Sequence, residues 1–400
     1  MKHSITQTAV LAGFLGGMFA AAPATAADKP AYSPGASDTE IRLGSTTAYS
    51  GPVSAYGAGG RTAKAFFDMI NANGGINGRK ITFISLDDAY SPPKALEQTR
   101  KLVESDNVLL IFGVSGTPTN TATQKYLNNK QVPQVLITTG ANKFNNPKVY
   151  PWTMPFWPSY ALEQKTYVDY ILKQKPDAKI GVLHANDDYG KDHLNGVRAA
   201  LEAHGKSKAL VSVQAYETSD PVVDSQILNL KNSGADVFIS ATTPKFAAQA
   251  MRKAHEIGWK PLQFVTNASA SISHVLTPAG VEASTGVITG NFAKAPDDPD
   301  LVNDPEVKDY LAFMKKWAPQ ENPKDLTSTY IVVNMMKRIL ERAGDNLTRE
   351  NIMKLVGSIN NERMPMQPQK IVLHTTPDDF SAYQSLQLQK FDGKRWVNID

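Results

Sequence analysis

Cysteine is absent from all 400 residues. With it go disulfides, thiolate nucleophiles, cysteine zinc sites and the lipidated cysteine that would tether an exported protein to a membrane. An excess of one charge is also missing: 42 Lys and Arg stand against 38 Asp and Glu. No Lys/Arg run or basic helix stands out, whereas recognition of nucleic-acid phosphate needs cationic side chains clustered on one face. There is no GxxxxGK[ST] loop, so the usual cradle for ATP phosphates is not encoded. Long apolar runs are confined to residues 9–22, too short for the roughly 20 residues of a spanning helix.

That run follows Lys2 and His3 and precedes Ala24-Thr25-Ala26, a small-x-small cleavage site. Residues 1–26 therefore read as a secretory signal peptide, and the mature chain is expected to start near Ala27, in the periplasm and without direct membrane anchoring. Removing the leader costs one basic residue, Lys2, and leaves 41 basic against 38 acidic. At ~150 residues per domain, the remaining chain predicts two.

What is present is an alternation of strand and helix, densest between Ile41 and Ala95. Ile41-Arg-Leu-Gly runs into Ser50-Gly-Pro and Tyr56-Gly-Ala-Gly-Gly, where glycines permit positive φ and close backbone approach. Ala63, Phe66, Phe67 and Ile70 then repeat at helical spacing, and Asn73-Gly74-Gly75 supplies a left-handed stop. A strand from Ile81 to Leu86 leads to the acidic turn Asp87-Asp88, with Ser91 as N-cap and Pro92 at the first helical position. The pattern continues through Val108–Gly113, a helix from Pro118 to Asn128 and a strand from Val135, giving a doubly wound first lobe.

Between Tyr150 and Tyr160, five aromatics and three prolines exclude a helix interior or central strand and leave an extended crossover. A second series follows, with strands near 179–184, 209–213, 236–240 and 286–290. Helices are expected over 307–317, 326–343 and 348–356, and strand again over 371–399.

Enzyme signatures fail in detail. Gly57-Ala58-Gly59 imitates a dinucleotide loop, but Thr62 stands where the third glycine belongs. Gly113-Val-Ser115-Gly imitates a nucleophile elbow with its second glycine one position early. His184 and His193 match no helical ligand pair and read as solvated turn and helix-face residues. Asp87 and Asp88 are explained by an acidic turn before a capped helix. No catalytic residue, metal or cofactor is assigned. In doubly wound sheets ligands sit at the C-terminal ends of strands, and here the loops 50–60, 114–118 and 138–141 have that address.

Ser50-Gly-Pro-Val, Tyr56-Gly, Asn71-Ala-Asn-Gly-Gly-Ile-Asn-Gly, Asp87-Asp-Ala with Pro92, Asp188-Tyr-Gly and the terminal Phe391-Asp-Gly-Lys-Arg-Trp stand in order. In this the chain resembles the substrate-binding proteins of branched-chain amino-acid type ABC transporters, which are type I periplasmic binding proteins; coverage runs from about Thr39 to the C-terminus. The resemblance implies an α/β fold of two Rossmann-like lobes joined by a three-segment hinge near Phe156, Asn291 and Pro368. Residues 27–157 with 292–367 would form the N-terminal lobe, and 158–291 with 368–400 the C-terminal lobe. It also places Tyr90 and Ser115 where family members often carry a disulfide.

By the same resemblance, the ligand's carboxylate would be held by Ser115, Gly116 and Thr117 together with Thr138, Thr139 and Gly140. Tyr56 and Tyr189 would wall the pocket, Phe156 and Trp157 would lie on the cleft floor, and Thr242 and Ala268 would occupy second-lobe positions. Amino-acid binders supply an acidic anchor for the ammonium where Ala268 stands, so the expected ligand is a carboxylate without an amine, aromatic or otherwise hydrophobic. The implied partners are this small molecule and the permease subunits, and the protein is expected to act as a monomer. Alternatives left open are an amino-acid binder, a sensor serving a receptor, and a secreted hydrolase.

Overall fold

Strand pairing follows from apolar segments too short for helices and separated by amphipathic helices, the pattern that builds parallel sheets. In the computed structural model, which describes residues 30–399 together with Met1 and His3, the strands are β1 (Ala31–Tyr32), β2 (Glu40–Thr47), β3 (Lys80–Asp87), β4 (Leu110–Phe112), β5 (Gln134–Ile137) and β6 (Thr153–Pro155). Then come β7 (Ile180–Ala185), β8 (Leu210–Tyr216), β9 (Val237–Ala241), β10 (Leu262–Val265), β11 (Ile288–Asn291), β12 (Asn346–Leu347), β13 (Gln387–Phe391) and β14 (Trp396–Asn398). The leader read over residues 1–26 lies, apart from Met1 and His3, outside the described residues.

One sheet has the order β3-β2-β4-β5-β6, all parallel. The other runs β14-β13-β11-β10-β9-β7-β8, parallel from β8 to β11 and finished by an antiparallel hairpin. In both, the first strand lies between the second and third, so the order in which strands are added across the sheet reverses beside it. That reversal opens a crevice at the strands' C-terminal ends. Helices α1 (Gly57–Ala72), α2 (Pro92–Glu104) and α3 (Thr117–Asn129) cover the first sheet; α4 (Tyr160–Gln174), α5 (Asp188–Ala203), α6 (Asp224–Asn232) and α7 (Pro244–Glu256) cover the second.

Two readings change. The glycine run expected as a loop is helical: Gly57 has φ −58° and Gly57–Gly60 form the first turn of α1, leaving only Gly51 in that segment with positive φ, at 82°. Size is the requirement instead, because a Cβ on Gly60 would lie 2.3 Å from the Tyr49 hydroxyl. The tail does not return to strand at 371. Ile371, Leu373, Phe380 and Tyr383 are buried in one core with Ile339 and Val356 of the first lobe. Thr375 donates to the Val356 carbonyl, and the Phe380 N–H donates to Asn145 Oδ1. Apolar side chains here find their burial on the first lobe, so the last crossing falls between Tyr383 and Gln387 and not at Pro368.

Candidate functional site

Both crevices face one cavity of ≈ 200 Å³ between the lobes, against the ~10–15 Å³ one water requires. Its first-lobe wall is built by the loops after β2, β4 and β5. Ser115 and Thr138 pair through their hydroxyls at 2.7 Å. Asn120 and Thr119 take up the Gly116 carbonyl from below, at 2.7 and 3.0 Å. No side chain caps the start of α3, and the unpaired N–H groups of a helix's first turn favour an anion. Gly116 sits at φ 102°, and a Cβ there would lie 2.5 Å from the Tyr90 ring.

Of the twelve residues singled out from sequence, Tyr56, Ser115, Gly116, Thr138, Trp157, Tyr189 and Ala268 line this cavity. The other five stand behind its wall. Thr117 and Thr139 are fully buried and share their hydroxyls, 2.7 Å apart, with the Tyr160 phenol at 3.3 and 3.1 Å. The Gly140 carbonyl accepts from Tyr160 N–H. Thr242 is buried, its hydroxyl bonded to Ser240 at 2.8 Å. Phe156 turns away from the floor into the first-lobe core, its ring 5.6 Å from Tyr383. Trp157, one residue on, lines the cavity, with its ring 4.9 Å from Phe292.

Sequence reasoning missed Tyr90 and Tyr160. The resemblance marks the first only as a lost disulfide position, and the sequence shows the second only as part of the aromatic crossover. With Tyr56 and Tyr189 they make two ring pairs, Tyr56–Tyr90 at 6.3 Å and Tyr160–Tyr189 at 5.4 Å. Burial holds the phenols of Tyr56, Tyr90 and Tyr189 well above their ordinary range and pushes Tyr160 up to about 12, so all four are neutral hydrogen-bond donors. His193 is a further correction: it is not solvated but buried, stacked 3.9 Å from the Tyr160 ring, and burial pushes its pKa down to about 3. His184 is also buried.

From the second lobe come Asn267, Ala268, Ser271 and His274; from the chain before the helix Thr327–Ala343 come Lys324 and Asp325. Asp325 crosses the cleft. Its carboxylate accepts from Ile272 N–H at 2.6 Å, Ser273 N–H at 3.3 Å and Ser273 Oγ at 2.5 Å. On the opposite rim Lys143 and Thr121 meet Asp188 at 2.5 and 3.2 Å, and Asn142 N–H donates to Asp192. The lobes are therefore closed on each other.

Glu163 supports the Asn267 loop from behind. It is buried and accepts from the Tyr167 phenol at 2.6 Å and Asn267 N–H at 2.7 Å. Burial outweighs these bonds and lifts its carboxyl from 4.5 to about 7. Between those values the folded chain holds a proton that the unfolded chain has lost, so Glu163 makes stability fall as pH rises from about 4.5 to 7, by on the order of 3 kcal/mol. Glu163→Gln should remove that part of the slope in urea melts at pH 5 and 7.5. Parallel profiles for the two proteins would contradict the assignment.

Two similarly wound lobes closing on a cavity, with small polar loops on one side and aromatic rings on both, define a cleft-type binding protein. The comparisons then specify which. A family model described as periplasmic binding protein matches residues 40–394, and the chain belongs to that family. It is 26% identical over 234 residues to "Leu/Ile/Val-binding protein homolog 7" of Brucella suis biovar 1, covering 56% of this chain and 58% of that one. The alignment thus spans little more than half of that relative.

Among solved structures, a branched-chain amino acid ABC transporter protein from Thermus thermophilus with bound valine superposes with TM-score 0.80 at 15% identity, covering 90% of this chain and 96% of that one. A fatty acid ABC transporter substrate-binding protein from Thermomonospora curvata does so with TM-score 0.75 at 21% identity, covering 93% and 94%. At such identities these likenesses speak for the fold. Among the described residues no helix is long and apolar enough to cross a membrane.

Proposed function

We propose that the protein is the extracytoplasmic binding component of an ABC importer. In this reading it captures a small carboxylate lacking an amine, an aromatic or other hydrophobic acid, and delivers it to a permease without making or breaking a bond. Ser115, Gly116 and Thr138 take the carboxylate at the start of α3. Tyr56, Tyr90, Tyr160 and Tyr189 enclose the body of the ligand, with Trp157 beneath and Ala268 opposite. Thr117, Thr139, Gly140, Phe156 and Thr242 hold these groups in place.

The observation that carries the reading is the charge inventory of the cleft. Among the described residues lining it, the one carboxylate is Asp325, and its oxygens are occupied by Ile272 and Ser273. An ammonium shut in this cavity would have to share that single carboxylate with the three donors already bonded to it. Burying an unpaired charge costs several kcal/mol, and each ~1.4 kcal/mol is tenfold in affinity. The proteins of matching fold are described as holding valine in one case and serving fatty acids in another, so the fold leaves the head group open and the site chemistry chooses.

Calorimetry of the full chain against leucine and a panel of aromatic acids tests this. The acids should bind and leucine should not; tight leucine binding would sink the reading and favour the amino-acid ligand that the relatives' names suggest. Ser115→Ala should weaken the bound acid by about 1–3 kcal/mol through loss of one hydrogen bond to a charged group.

A further inference from the structure

The cavity does not stop at the loops. It continues into the first lobe between the sheet, α1 and the helix Thr327–Ala343, where its lining changes from hydroxyls to Ala63, Phe83, Phe112, Val332 and Val333. Two elements place the backbone of its apolar lining. Phe83 pairs in register with Leu43, four residues before Thr47 at the end of β2, which at ~3.3 Å per residue is roughly 13 Å below the strand end. Val332 lies five residues beyond Thr327, the first residue of its helix, roughly 8 Å along the axis at 1.5 Å per residue. The small residues Gly59 and Ala63, one helical turn apart on α1, stand across from that helix; a Cβ on Gly59 would meet Thr329 at 3.3 Å. Phe112, Val332 and Val333 keep only 2%, 2% and 0% exposure and belong to the first-lobe core, while Phe83 is half-buried, so this apolar end is a narrow extension of the polar mouth.

We propose that this recess is a tail pocket, and that the ligand class is an acid carrying an extended apolar tail, unbranched alkyl or aryl-terminated. The tail runs along β2 beneath α1, while the carboxylate stays at Ser115 and Thr138. The inference rests on the head-group reading above and adds the dimension that selects among acids.

The test is calorimetry of the full chain with butanoate, hexanoate, octanoate and 3-phenylpropanoate, each beside its primary amide. Affinity should rise about fourfold per buried methylene. Ala63→Phe and Val332→Phe fill the recess from opposite walls; each, checked for folding by its circular-dichroism melt, should lower octanoate affinity tenfold or more relative to butanoate. If one fails to fold, the other carries the test.

Carboxylates that bind without a length dependence, or variants that weaken long and short tails equally, overturn the pocket and leave the head-group reading standing. Amides that show the length dependence and the variant effect while carboxylates do not would keep the pocket and overturn the head-group reading. No length dependence in either series overturns the pocket.

Discussion

Replacing Asp325 with alanine should leave both lobes folded and weaken binding of whichever acid saturates the native protein by ten- to a hundredfold. Asp325 belongs to the first lobe by its neighbours, since Pro323 just before it accepts the buried Tyr310 phenol and the following helix packs in the first core. All three of its hydrogen bonds end on Ile272 and Ser273 of the second lobe. They exist only when the cleft is shut. A hydrogen bond to a charged group contributes about 1.5–3 kcal/mol, and one such contribution lost from the closed state alone appears in full as lost affinity.

The opposite rim provides the contrast. Lys143 and Asp188 also bridge the lobes, but their side chains are 40% and 48% exposed, and exposed pairs contribute ~0–1 kcal/mol. Lys143→Met should therefore change affinity by less than about fivefold. Small-angle scattering of Asp325→Ala without ligand should report a more open average than the native chain. Binding and scattering both identical to the native protein would show that closure does not depend on this carboxylate.

Gly140→Ala should cost about 3 kcal/mol or more of stability. The position was singled out as a ligand contact, yet its role is to let two backbones touch: a Cβ there would lie 2.0 Å from the Pro158 carbonyl oxygen and 2.8 Å from the Tyr160 ring. The Pro158 carbonyl is main chain and cannot rotate aside as a flexible side chain would. Forcing extra volume into a packed site costs typically 1–3 kcal/mol, and more where backbone must move. At roughly 2–4 °C per kcal/mol for lobes of this size, the melting temperature should fall by about 6–12 °C. The displaced segment carries Trp157 and Tyr160, so binding should weaken as well. An alanine variant with a native melting temperature would show that the crossover does not press on this loop.

Legibility in the sequence varied with the physics behind each element. The helix expected over 326–343 is found over 327–343 and that over 307–317 over 305–317, because apolar spacing and capping are local. The tail from 371 was misread because strand-like composition there serves burial against the first lobe and not ladder pairing. Ser115, Thr138 and Tyr56 are readable as cavity residues because strand-end loops and family order both mark them, and Tyr189 through family order alone. Tyr90 was not: its place in the cavity follows from positive φ, 60°, and from Gly116 leaving room for its ring, neither of which spacing reveals.

Composition and the alternation of strand with helix determined an α/β chain long enough for two domains and without cysteine, since those properties reside in residue type and local period; the binding role and the place of Ala268 came from the resemblance in motif order. Only the tertiary structure decided which of two adjacent crossover aromatics faces the cavity, that Asp325 ties one lobe to the other, and that the cavity runs on beneath α1. Each of these depends on distances between segments far apart in the chain, set by how two sheets and their helices pack.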